Sequence, residues 1–168
     1  LRPDEREKVL TTVLKRRLTR WESTGRDQLE DALTLAEQFR GLGLPLPPGL
    51  LEETSLSLAH ALADAARRFA EDGFGALDEI KLVVSRAKAA GLPVAAVRAE
   101  LPFARGVERL LAGLENGSAE ASAAELAEAA QAAAVAGLSD WRPAAQVRVF
   151  RWLKASKPSA PAARLLGD

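Results

Sequence analysis

Apolar residues near the start of the chain fall at Leu10, Val13, Leu14, Leu18 and Trp21, in steps of three, one, four and three. At about 100° per residue they line one stripe of an α-helix, with lysines and arginines around the rest. Asp4 followed three residues later by Glu7 resembles a capping box, and Gly25 supplies a stop, so the helix is expected over about residues 5–23. Leu29, Leu33, Ala36 and Phe39 predict a second helix over about 26–41. The following segment, Gly41-Leu-Gly-Leu-Pro-Leu-Pro-Pro-Gly49, cannot continue it, because its glycines loosen the backbone and its prolines remove donors and fix φ. It reads as a stiff, apolar connector.

The pattern then repeats. Leu51, Leu58, Leu62, Ala65 and Phe69 predict a helix over about 48–72, closed by Gly73 and Gly75. Leu77, Ile80, Val84 and Ala87 predict another over about 76–90, ending at Gly91-Leu-Pro93. Between 94 and 114, Pro102 should kink or split the helix and Gly106 should weaken it, so two short pieces are expected. Asn116 and Gly117 give a turn, Ser122 and Glu125 box the next helix, and an alanine-rich stretch of high propensity runs to Ala136 and stops at Gly137. A last helix over about 141–155 holds Trp141, Val149, Phe150, Trp152 and Leu153. No segment alternates with period two and β-branched enrichment, so a sheet has nothing to be built from. The expected fold is all-α, an irregular helical bundle or helix-hairpin array of six to eight helices. One domain is expected over 1–156, with a frayed, proline-containing tail over 157–168. The glycine and proline punctuation is unequally spaced, which argues against a strict solenoid.

Composition narrows the chemistry. The chain has 168 residues, is 48% hydrophobic and can bury a core without staples. Its 23 basic and 23 acidic side chains cancel, so no long-range field gathers nucleic acid or anionic lipid, and such a partner must be met by a local patch. With no cysteine and one histidine, zinc fingers, thiolate chemistry and disulfides lack ligands, and no cofactor is expected. There is no run of about 18 apolar residues and no signal-peptide pattern, so neither a membrane span nor a signal peptide is expected; export stays open, nothing argues for an oxidising compartment, and the cytoplasm is the default location. The start at Leu1 and the lack of methionine read as a piece of a longer protein.

Catalytic constellations are sparse. His60 lies opposite the apolar stripe of its helix, beside Glu53, Asp64, Arg67 and Glu71, and reads as a solvated surface residue whose loss changes stability by less than about 0.5 kcal/mol. Glu52/Glu53 and Asp78/Glu79 are sequence neighbours that diverge by about 100° on a helix and cannot flank one bond. Ser55, Ser57, Ser118 and Ser122 have no identifiable base, and Gly41, Gly43 and Gly49 lack the lysine and strand of a phosphate loop. No catalytic or metal-binding residue is assigned.

Two basic features stand out. Lys15, Arg16, Arg17 and Arg20 surround Trp21, while Arg142, Arg148, Arg151, Lys154 and Lys157 occupy a stretch with no acid, alongside Trp152. A nucleic-acid reading uses phosphate contacts and aromatic stacking, with Arg148, Arg151 and Lys154 as one ridge. A protein-docking surface, where arginine and tryptophan are enriched, needs no excess charge. Arg17 falls inside the apolar stripe of the first helix. It should pair with a carboxylate, stack on an aromatic ring or, with Trp21 and Leu14, mark a docking surface left partly exposed; snorkelling at the core edge is the plain alternative.

The connector 41–50 between two helices and the closing phrase Asp140-Trp-Arg-Pro-Ala-Ala-Gln-Val-Arg-Val-Phe-Arg-Trp-Leu153 resemble the C-terminal helical region of large bacterial proteins with a family-57-type glycoside hydrolase domain, a DUF3536-type domain of unknown function. The resemblance covers about residues 26–153. It implies an α-glucan-processing parent whose catalytic carboxylates lie in an upstream barrel, and no residue here matches that barrel's motifs. The expected function is a non-catalytic accessory or interaction domain that meets another protein or an upstream catalytic domain. The alternative is a small nucleic-acid-binding protein using the basic C-terminal helix.

Overall fold

A computed structural model describes residues 3–24, 29–73, 75–116 and 119–155. The fold is all-α. Seven helices are present among the described residues: α1 (Pro3–Thr24), α2 (Leu29–Gly41), α3 (Pro48–Asp72), α4 (Gly75–Ala90), α5 (Val97–Glu115), α6 (Ala119–Ala136) and α7 (Arg142–Ala155). No helix among those residues is long and apolar enough to cross a membrane.

The chain divides into two compact units, with boundaries within α3, within α4 and just before α5: residues 1–59 with 85–95, and residues 60–84 with 96–168. In the first unit Leu14, Leu33, Ala36, Phe39, Leu58 and Ala87 are buried, as the three-to-four spacing requires, whereas at the start of α3 the buried leucine is Leu50 and the expected Leu51 is half-buried. Arg40 reaches from α2 to the end of α4, donating from Nη1 to the carbonyls of Lys88 (2.6 Å) and Ala89 (2.8 Å). Both carbonyls lie in the last turn of α4, where the regular helical bonds run out and the Lys88 carbonyl accepts the Gly91 N–H at 3.1 Å; a cation there also meets the negative end of the helix dipole. Arg86 of α4 pairs with Glu30 of α2, which holds the guanidinium charge on more firmly than usual.

In the second unit α5 is the central element, packing against both α6 and α7. Its buried stripe is Ala99, Phe103, Gly106, Val107, Leu110, Leu111 and Leu114. Phe103 meets Phe69 of α3 at a ring separation of 5.1 Å and Trp141 edge-on at 6.1 Å. Buried Ala123, Ala129, Ala132 and Ala133 give α6 a small-residue face. Lys81 of α4 donates to Glu128 of α6 at 2.6 Å, a bond that raises the lysine pKa. Arg109 of α5 repeats the device of Arg40, donating to the Phe69 carbonyl (2.8 Å) at the end of α3.

Three boundaries differ from expectation. Residues 97–115 form one helix, not two pieces, with Pro102 inside it. A proline at that point removes one bond, to the Arg98 carbonyl, at an interior cost of about 3 kcal/mol. Burying Phe103, Val107, Leu110, Leu111 and Leu114 on one continuous stripe, at about 1.5–3 kcal/mol each, outweighs it. The first helix begins at Pro3, a position suited to proline, so Asp4 lies inside it and not at its cap. Likewise α6 begins at Ala119, which places Ser122 within the helix. Gly25, Gly117 and the tail from 156 onward lie outside the described residues.

Three helices end on a glycine of positive φ followed by leucine: Gly43 (66°), Gly91 (71°) and Gly137 (73°). In each, the leucine N–H bonds back five residues, Leu44 to Phe39, Leu92 to Ala87 and Leu138 to Ala133, all at 2.9 Å. This is the Schellman ending, and it tucks Leu92 and Leu138 into the core.

Candidate docking face on the last helix

The approach to α7 is fixed by polar contacts. Glu100 of α5 accepts the backbone N–H of Ser139 (3.1 Å) at Oε1 and of Asp140 (3.2 Å) at Oε2, placing a carboxylate at the positive start of the helix. Trp141 donates from Nε1 to the Leu138 carbonyl at 3.2 Å. Farther along, Arg148 grips Glu115 with two bonds, Nε to Oε1 (3.0 Å) and Nη2 to Oε2 (2.7 Å). That grip pushes the Glu115 carboxyl below its ordinary range and the Arg148 guanidinium above its own. Ala145 and Val149 complete the inward face.

The outward face carries what remains. Val147 is 50% exposed and Phe150 49%, and the Lys154 ammonium lies 4.6 Å from the Phe150 ring centre. Arg142, Arg151 and Lys154 are exposed, and none forms an ion pair among the described residues.

The structure therefore divides the basic stretch read from the sequence. Arg148 does not join Arg151 and Lys154 in a free ridge, because Glu115 neutralises it. Trp152 is half-buried and Phe150 is the ring that faces out. Lys157 lies outside the described residues. Val147 and Phe150 were missed as surface groups, although 143, 147, 150 and 154 share a spacing of four, three and four that marks a helix seam.

The other candidates separate too. Leu14 is 4% exposed and covered by the chain itself, so it drops out of the docking surface proposed with Arg17 and Trp21. Arg17 is exposed and donates to Gln38 Oε1 of α2 at 3.0 Å; its partner is an amide, not a carboxylate. The Trp21 side chain lies outside the described ones. His60 faces outward and contacts Arg98 of α5 through Nε2, while its neighbour Asp64 pairs with Arg67 at 2.6 Å. Among the described residues no group of three His, Asp or Glu side chains is placed to hold a metal ion. Other exposed apolar pairs occur on α1 (Val9, Val13) and at the start of α5 (Val97, Leu101). Comparison with known protein families, with characterised proteins and with solved structures finds no match for the chain.

Proposed function

We propose that the chain is a non-catalytic helical interaction module that docks onto another protein domain through the outward face of α7. The observation that carries this reading is the half-exposure of Val147 and Phe150 beside Arg142, Arg151 and Lys154, none of which forms an ion pair among the described residues, on a helix already held by its other face. Apolar anchors ringed by polar groups are the usual anatomy of an interface. The resemblance to a region that accompanies a glycoside hydrolase barrel supports the same role, with that barrel as the domain to be met.

Nucleic-acid binding is the second reading, favoured by the acid-free surface from Arg142 to Lys154. It is weakened by the loss of Arg148 to Glu115 and the half-burial of Trp152. Both readings are tested by placing a photo-crosslinking amino acid at Phe150 in the full chain, in the cells that produce it, with the exposed Glu108 as control. A discrete protein adduct at 150 and none at 108 is expected. Nucleic-acid adducts select the second reading, and no adduct at 150 removes the first.

A further inference from the structure

We infer that the outward face of α7, if it docks as proposed above, takes an acidic amphipathic helix. Pro143, Val147, Phe150 and Lys154 recur at i, i+4, i+7 and i+11, so they form one narrow stripe along the helix. A second helix fits such a stripe by setting its own side chains between these knobs. The 14 residues of α7 give about 21 Å, enough for two heptads of contact.

Charge selects the kind of helix. Arg151 flanks the stripe one turn beyond Val147, and Lys154 ends it one turn beyond Phe150. Glu115 is engaged by the half-buried Arg148, and among the described residues Arg142, Arg151 and Lys154 form no ion pair of their own, which leaves their charge available to an acidic partner. A helix bearing leucines at its seam and glutamates beside them satisfies both components. A single-stranded nucleic acid would satisfy the cations and stack a base on Phe150 but leave Val147 and the Pro143 end of the stripe without an apolar partner. A membrane surface needs a wide apolar face, and here Ala145 and Val149 are turned inward.

The test uses the full chain and fluorescence anisotropy with a labelled four-turn Glu/Leu helical peptide. A Lys/Leu counterpart, a short single-stranded DNA and anionic vesicles are the competing probes. Binding of the Glu/Leu peptide is expected, weakening with salt and by about tenfold in Phe150→Ala and in Arg151→Glu. Both substitutions are at exposed positions, and circular dichroism confirms that each variant keeps its helix. The inference is overturned if the Glu/Leu peptide does not bind, if neither substitution weakens it, if DNA or vesicles bind more tightly, or if the chain self-associates through Phe150. A protein adduct at position 150 together with no Glu/Leu binding leaves the docking reading standing and removes the acidic helix alone.

Discussion

Replacing Gly106 by alanine sets two effects of opposite sign against each other. Gly106 sits mid-helix in α5, where alanine is favoured by about 1 kcal/mol on propensity. A Cβ built there, however, falls 2.4 Å from both Cδ1 and Cε1 of Phe69 and 3.2 Å from Cγ. Ordinary carbon contacts need about 3.5 Å, so the ring must move by about 1 Å. It has nowhere to go, since Phe69 is fully buried and its other neighbour is the Phe103 ring. Overpacking of this kind costs about 1–3 kcal/mol, and a double clash with an immobile ring belongs at the upper end. Net destabilisation of about 2 kcal/mol is expected after the propensity gain. In urea unfolding followed by tryptophan fluorescence this lowers the midpoint by about 1 M. Phe69→Leu should relieve part of the clash, so the double variant loses less than the sum of the single ones. A Gly106→Ala protein stabilised by about 1 kcal/mol would refute the close approach of α5 to α3.

Arg109→Ala should cost about 1–2 kcal/mol and speed amide exchange in the last turn of α3, because the Phe69 carbonyl loses its donor; unchanged exchange there would remove the capping role. Thr54 is 1% exposed and its hydroxyl has no hydrogen-bond partner among the described residues, so Thr54→Val should leave the chain equally stable or up to about 1 kcal/mol more stable in thermal unfolding, and a clear loss would mean the hydroxyl is satisfied. Because Arg148 lowers the Glu115 pKa, this pair contributes stability above the unfolded carboxylate pKa and loses it as pH falls through the lower folded value. The wild type should therefore exceed Glu115→Gln in stability at neutral pH and converge with it in acid, and a pH-independent gap would contradict the pairing.

Helix identity was legible because it rests on local periodicity: Leu33, Leu58, Leu62, Phe69 and Ile80 are all buried where their spacing put them. The break expected at Pro102 failed because a local rule was applied to a residue whose cost is met by a stripe of long-range contacts. Gly106 was misread for the same reason. Its absent side chain weakens a lone helix, yet the space it leaves is filled by a ring 37 positions earlier in the chain. Arg40, Arg109 and Glu100 drew no attention, since an arginine that caps another helix has the same local pattern as a solvated one. The docking face was half legible. The acid-free stretch located it, while the division of its cations depended on Glu115, which no spacing within the last helix reveals.

That division gives α7 two sets of residues with different signatures. Glu100, Arg148, Ala145 and Val149 hold the helix, so substitutions there should lower stability, and any loss of partner binding should follow from displacement of the helix. Val147 and Phe150 leave about half of their surface outside the fold and Arg151 is exposed, so substitutions there should lower the unfolding midpoint less than those of the first set and act mainly on the partner. Arg148→Ala and Arg151→Ala are thus the informative pair: same residue type, same helix, three positions apart. An intramolecular role predicts a midpoint shift for the first and none for the second, whereas a shared phosphate-binding ridge predicts equal losses of affinity with little effect on the midpoint for either.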